Sequence, residues 1–109
     1  MTHNALVEQF DEEMLRIYQR AQSEAHYNAT LFLRMLHETG GLEAARILLH
    51  RKKVSDGYTA LYLRDRLDFT IEAVIHDNPI WHSLFTQEEL EIRTNRLADY
   101  QYPGVHSTF

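Results

Sequence analysis

Seven histidines (His3, His26, His37, His50, His76, His82 and His106) and a run of arginines and lysines are the side chains of this 109-residue chain best suited to chemistry. Imidazoles titrate near neutrality and ligate metals, but no two of these recur three or four residues apart, so no helix face carries a pair. His76 and His82, with Asp77 between them, come nearest to a cluster. A metal site would have to be assembled from distant segments, and HExxH is absent, so we expect no metal centre and no cofactor. Arg46, Arg51, Lys52, Lys53, Arg64 and Arg66 gather in the middle of the chain. Such a cluster can neutralise phosphates. Trp81, Phe85, Tyr100, Tyr102 and Phe109 concentrate large rings toward the C-terminus, where they can either anchor another protein or a second copy of the chain, or form a lid over the end of a small core. Glu72, among apolar neighbours, is the acid to watch, because burial is costly unless Arg64, Arg66 or a backbone group pairs with it.

The elements that must position these residues are helical. The stretch 54–75, VSDGYTALYLRDRLDFTIEAVI, holds two helix starts. Ser55 and Asp56 can accept the free N–H groups of a first turn, which predicts a helix over residues 56–64. Asp68 repeats the device before Phe69, Ile71, Ala73, Val74 and Ile75, a segment apolar on most of its circumference and therefore expected at the centre of the core. Arg64, Asp65 and Arg66 mark the corner between the two helices.

Upstream, Leu6, Val7, Phe10, Met14, Ile17, Tyr18 and Ala21 step by three and four along one side of an amphipathic helix over residues 4–26. Asn28 reads as the cap of a helix over 29–38, with Leu31, Phe32, Met35 and Leu36 inward. Whether the two are separate helices or one bent rod is open at this point. Gly40 and Gly41 supply the stop, and a third helix covers 42–50. Downstream, Asn78-Pro79 breaks the chain, and Ile80, Trp81, Leu84 and Phe85 form a turn or short helix covering one end of the core. Thr86 with Glu89 makes a capping box that opens a last helix over 87–99. No sustained strand alternation or internal repeat is present.

Composition narrows the classes. The absence of cysteine excludes disulfides, thiolate chemistry and cysteine-based zinc sites, and fits a reducing compartment. Glu8, Asp11, Glu12 and Glu13 stand where a signal peptide needs a basic and then an apolar run, and no window is long enough to span a bilayer. We expect a cytoplasmic protein without a membrane partner. The net charge of −5 is uneven: residues 28–66 carry seven cations and four acids, against two and five before them and two and seven after. Overall acidity argues against bulk nucleic-acid binding, yet leaves room for a local basic face.

Several residue patterns resemble known groups. Tyr27-Asn28-Ala29 before Phe32-Leu33-Arg34-Met35, Gly40-Gly41 before Ala44-Ala45 and Leu48-Leu49, Ser55-Asp56-Gly57-Tyr58-Thr59, Arg66-Leu67-Asp68 with Glu72-Ala73, and Leu84-Phe85-Thr86 before Glu88-Glu89 and Arg96-Leu97 follow one another in this order. The order resembles that of a widespread group of small, uncharacterised bacterial helical proteins. The resemblance covers about two-thirds of the chain, implies a bacterial origin and one helical domain, and adds no catalytic residue. Arg20 and His26, with five residues between them, are similar to the Arg-x(4 to 6)-His motif of the HEPN group of helical ribonucleases, in which the arginine would hold phosphate and the histidine would move a proton. The order of helix 42–50, a turn and helix 56–64 is that of a helix-turn-helix, with Thr59, Tyr62 and Arg64 facing a groove. Its turn is long, however, and Tyr58, Leu61 and Tyr62 read as core.

The expectation is therefore an all-α, single domain of five or six helices over residues 1–100 with a loosely held tail over 101–109. Its expected role is that of a non-catalytic protein-interaction or accessory module. Nucleic-acid binding through the basic cluster is the alternative, and a HEPN-like ribonuclease the third reading.

Overall fold

Helix formation follows the apolar spacing closely in the computed structural model, which describes residues 3–105. The described residues form six α-helices and two short 3-10 segments and contain no strand. The helices are α1 (His3–Ala25), α2 (Thr30–Thr39), α3 (Gly41–Leu49), α4 (Asp56–Leu63), α5 (Ile71–Asp77) and α6 (Gln87–Asp99). The 3-10 segments, Leu67–Phe69 and Pro79–Leu84, flank α5.

The core is built on the inner face of α1. Leu6, Phe10, Met14, Ile17, Ala21 and Ala25 are all buried, at the spacing the sequence predicts. Phe10 is the hub, meeting Trp81 and Phe85 edge-on at 5.3 and 5.5 Å between ring centroids. On one side α1 packs against α2 and α3, and on the other side of the domain α6 packs against α5 and α3. Ala44, Ala45, Leu48, Leu49, Ile71, Ala73, Ile75 and Leu97 fill the space between.

Chain breaks follow local chemistry. His26 adopts φ 54°, and the Tyr27 N–H turns back to the Ala21 carbonyl, so α1 and α2 are separate helices. Gly40, at φ 82°, ends α2 in the left-handed region that favours glycine. Thr86 and Glu89 form the expected reciprocal capping box of α6.

Two expected caps are not formed. The Asp68 carboxylate is occupied by the Arg66 guanidinium through two 3.0 Å bonds, and Thr70 instead caps α5, its hydroxyl accepting from the Ala73 N–H. Phe69 thus lies in a 3-10 turn before the helix, still buried. Asn28 does not cap α2 either, because its side-chain oxygen accepts from the Tyr18 hydroxyl.

The start of α3 is capped from a distance. Asp11 on α1 accepts from the N–H groups of Gly41 (2.8 Å) and Leu42 (3.1 Å), supplying the acceptor that Gly40 lacks. The approach is close: a Cβ on Gly41 would stand 2.9 Å from the Asp11 Cα and from the Met14 Cγ. Asp11→Ala is expected to lower stability by about 1 kcal/mol, the value of a typical N-cap. Gly41→Ala should cost more, about 1–3 kcal/mol, because backbone has to move. Urea denaturation of the two variants checks both values, and an unchanged midpoint for Asp11→Ala would contradict the cap.

The described part of the C-terminal tail, expected to be loose, is docked. The Tyr102 hydroxyl donates to Asp77, its N–H donates to the Leu97 carbonyl, and Val105 is buried beside Tyr58, Ala73 and Leu97.

A cleft under α2 with a basic edge

α2 is the helix that its own chain covers least. Phe32, Leu33, Met35 and Leu36 are only half-buried, no residue of the helix is fully buried, and Leu31 is 68% exposed. Where its N-terminal turn stands off the core, a cleft of about 330 Å³ opens. Ligand sites typically run from about 300 to 1,000 Å³. Ile17 and Ala21 of α1, Leu48 of α3, Tyr58 and Leu61 of α4, and Phe69 and Ile71 form its apolar lining. Its mouth carries Tyr27, Asn28, Leu31, Arg51 and Asp56.

Glu72 is also part of the lining. It is 3% exposed, and burial pushes its carboxyl above the ordinary value, against the opposing pull of its own backbone N–H and of Arg96. The partner is neither Arg64 nor Arg66, as expected from proximity along the chain, but Arg96 of α6, whose Nη1 donates to Glu72 at 3.1 Å. The same guanidinium donates to the carbonyls of Leu48, Arg51 and Lys53. Arg96 therefore ties the segment after α3 to the core by its backbone, and the Arg51, Lys52 and Lys53 side chains are left exposed, Arg51 in the lining of the cleft and the two lysines next to it along the chain. Tyr58, buried beneath, donates its hydroxyl to the Arg96 carbonyl, and burial raises its phenol well above the usual range.

The structure divides the expected basic cluster. Arg46 donates to the buried carboxylate of Glu89, which also receives His50, so it serves the interior. Arg66 forks onto Asp68 and lies over the Phe69 ring. Arg64 packs over the Tyr27 ring, 5.3 Å from its centroid, and pairs with no acid. Among the described residues Arg34, Arg51, Lys52, Lys53 and Arg64 form no ion pair. α3 and α4 do not pack along one another, as a helix-turn-helix requires, and Tyr58 and Leu61 are core.

The expected aromatic docking end does not form as one surface. Trp81 and Phe85 are 6% and 8% exposed and packed on Phe10. Tyr100 stands edge-on to Tyr58 and Tyr62, and Tyr102 is held by Asp77. Phe109 and His106 lie outside the described residues. Trp81, Phe85, Tyr100 and Tyr102 act mainly as the lid of the core, because the inner faces of α1 and α4 supply the apolar partners that solvent does not.

The remaining candidates are engaged locally. Arg20 of the Arg20–His26 pair binds Glu24 at 2.7 Å and covers Phe69. Asp77, between His76 and His82, is taken by Tyr102. His82 Nε2 lies 3.0 Å from the Ile75 carbonyl and 2.9 Å from Arg93 Nη1, contacts that compete for one nitrogen. Burial, and then the neighbouring Arg93 charge, hold its imidazole below the ordinary value. No group of three or more metal-ligating side chains converges among the described residues, and no helix among them is long and apolar enough to cross a membrane.

Sequence reasoning missed Arg96 and the cleft. The one signal available for Arg96 was a cation near the end of a helix whose inner face also carries Leu97. Neither a protein-family model, nor a curated protein, nor a solved structure matches this chain.

Proposed function

We propose that the chain is a non-catalytic interaction module of a bacterial cytoplasm that receives another protein in the cleft under α2. The observation that carries this reading is the apolar face of α2, which the chain's own core covers only in part beside an open cavity, with the exposed Leu31 at its mouth. An exposed apolar surface next to a concavity is the usual form of a docking site. The lack of cysteine and the resemblance described above support the compartment and the origin.

A cross-linking experiment tests the reading, and the cysteine-free chain simplifies it. A photo-reactive group on Thr30→Cys, at the cleft mouth, should capture a discrete protein in extract. The adduct should be lost when Leu31→Gln is added and absent when the group is carried by Glu91→Cys on α6. Equal capture from the two positions, or indifference to Leu31→Gln, would remove the cleft as the docking site.

The exposed Arg51, Lys52 and Lys53 side chains favour a second reading, nucleic-acid binding. It predicts salt-sensitive binding of duplex DNA or single-stranded RNA that disappears when the three residues are replaced by alanine.

A further inference from the structure

We infer that the partner is an acidic amphipathic segment, whose apolar side chains enter the cleft while its carboxylates meet the basic edge. This rests on the cleft being the docking site and adds the chemistry of what fills it. The argument is one of complementarity. The lining of the cleft is apolar, and Leu31 extends that surface outward along α2. Arg51 is in the lining, Lys52 and Lys53 follow it along the chain, and Arg64 covers the ring of Tyr27, another lining residue; none of the four is neutralised by an acid of the chain among the described residues, and Arg34 stands one turn beyond Leu31. Against them Asp56 is the exposed acid of the lining, while Glu72 is already paired inside. In a chain of net charge −5, such a local excess is a directed field. It attracts carboxylates and repels a basic partner.

Arg96 adds preorganisation. By holding the backbone carbonyls of Arg51 and Lys53, it keeps the basic loop in place before any partner arrives, so less ordering is needed on binding. The apolar content of the site favours a peptide over a nucleic acid. Base stacking needs exposed ring faces, yet Tyr27 is covered by Arg64 and Phe69 by Arg20 and Arg66, and Tyr62 meets Tyr100 edge-on. A segment with apolar side chains at helical spacing is the mode of recognition that a groove beside a helix supports.

The test uses the full chain and three fluorescent synthetic peptides with the same leucine and phenylalanine anchors at helical spacing, their polar positions filled by glutamate, glutamine or lysine. Anisotropy should show the glutamate peptide bound at least about tenfold more tightly than the lysine peptide, with affinity falling between about 50 and about 200 mM salt. Leu31→Gln, on an exposed side chain that leaves the fold intact, should weaken the glutamate peptide by about tenfold. The triple alanine replacement of Arg51, Lys52 and Lys53 should erase the preference for glutamate over glutamine.

If all three peptides bind alike and all depend on Leu31, the charge inference is wrong and the cleft reading stands. If no peptide depends on Leu31, the cleft reading fails, and this inference fails with it. Labelled RNA or DNA that binds through the three cations, indifferent to Leu31→Gln and displacing the glutamate peptide, would overturn the inference in favour of a nucleic-acid surface.

Discussion

Replacing Arg96 with methionine is expected to lower the unfolding free energy by about 3–5 kcal/mol, the cost of leaving one half of a buried ion pair alone. Methionine keeps the apolar stem, but its loss of the guanidinium strands the Glu72 carboxylate and removes a donor from three main-chain carbonyls. The pH dependence gives the effect a signature. Burial already holds Glu72 above its ordinary value of 4.5, so the folded chain binds this proton more tightly than the unfolded chain. A raised carboxyl contributes least stability at high pH, and its contribution improves as pH falls toward and below 4.5. Without Arg96 the folded carboxyl rises further, so the damage should be greatest near neutrality and shrink in mild acid. Urea denaturation at about pH 5 and about pH 7 measures both, together with the Glu72→Gln, Arg96→Met double variant. The double variant should recover part of the loss at neutral pH, because its buried amide carries no charge. Strict additivity of the two single changes would mean that the pair is not coupled. The amides of Lys52 and Lys53 should also exchange faster in Arg96→Met, since the cleft edge loses its tether.

Glu89→Ala carries the second large effect, a loss of about 2–4 kcal/mol from one capping box and two charge-assisted bonds. Glu89 is fully buried. Its Oε1 accepts from the Thr86 N–H at 2.8 Å, and its Oε2 accepts from Arg46 at 3.0 Å and lies 2.8 Å from His50 Nε2. Burial alone would raise this carboxyl, but the Thr86 N–H, Arg46 and His50 together outweigh burial and hold it below its ordinary value of 4.5. The sign is opposite to that of Glu72: the stability that Glu89 supplies is fully present above 4.5 and is lost as pH falls through the folded value. The wild-type chain should therefore lose stability in acid more steeply than Glu89→Ala. Glu89→Gln should lie between the two in stability near neutral pH, because an amide oxygen can still accept from Thr86 while the ionic bonds to α3 are lost, and it should share the shallow acid limb of Glu89→Ala because it carries no titrating carboxyl. A Glu89→Ala curve parallel to wild type across the acid limb would show that Glu89 is not a source of acid sensitivity.

These residues also mark how far the sequence could be read. The capping box of Thr86 and Glu89 is legible because donor and acceptor are three residues apart, and it survives the claims of Arg46 and His50 because they take Oε2 and leave Oε1 to the Thr86 N–H. Asn28 and Asp68 have the right chemistry for caps but are claimed by Tyr18 and Arg66, and only the folded chain decides such a competition. Asp11 caps a helix thirty residues away, and Glu89 accepts from Arg46 forty-three residues away. No local pattern announces either.

What the sequence determined by itself is the helical class, the inner face of α1, the burial of the Phe69 to Ile75 region and the start of α6. Each follows from the spacing of apolar side chains along a 3.6-residue turn and from short-range capping. Tertiary structure alone decided that Trp81 and Phe85 face Phe10, that Arg46 reaches the buried Glu89 while Arg51, Lys52 and Lys53 form no ion pair, and that the N-terminal turn of α2 stands off the core to leave a cleft. The physical reason is the same in each case. Periodicity says which side of a helix avoids water, but which neighbour meets that side, and whether it meets it fully, depends on how the helices share one core.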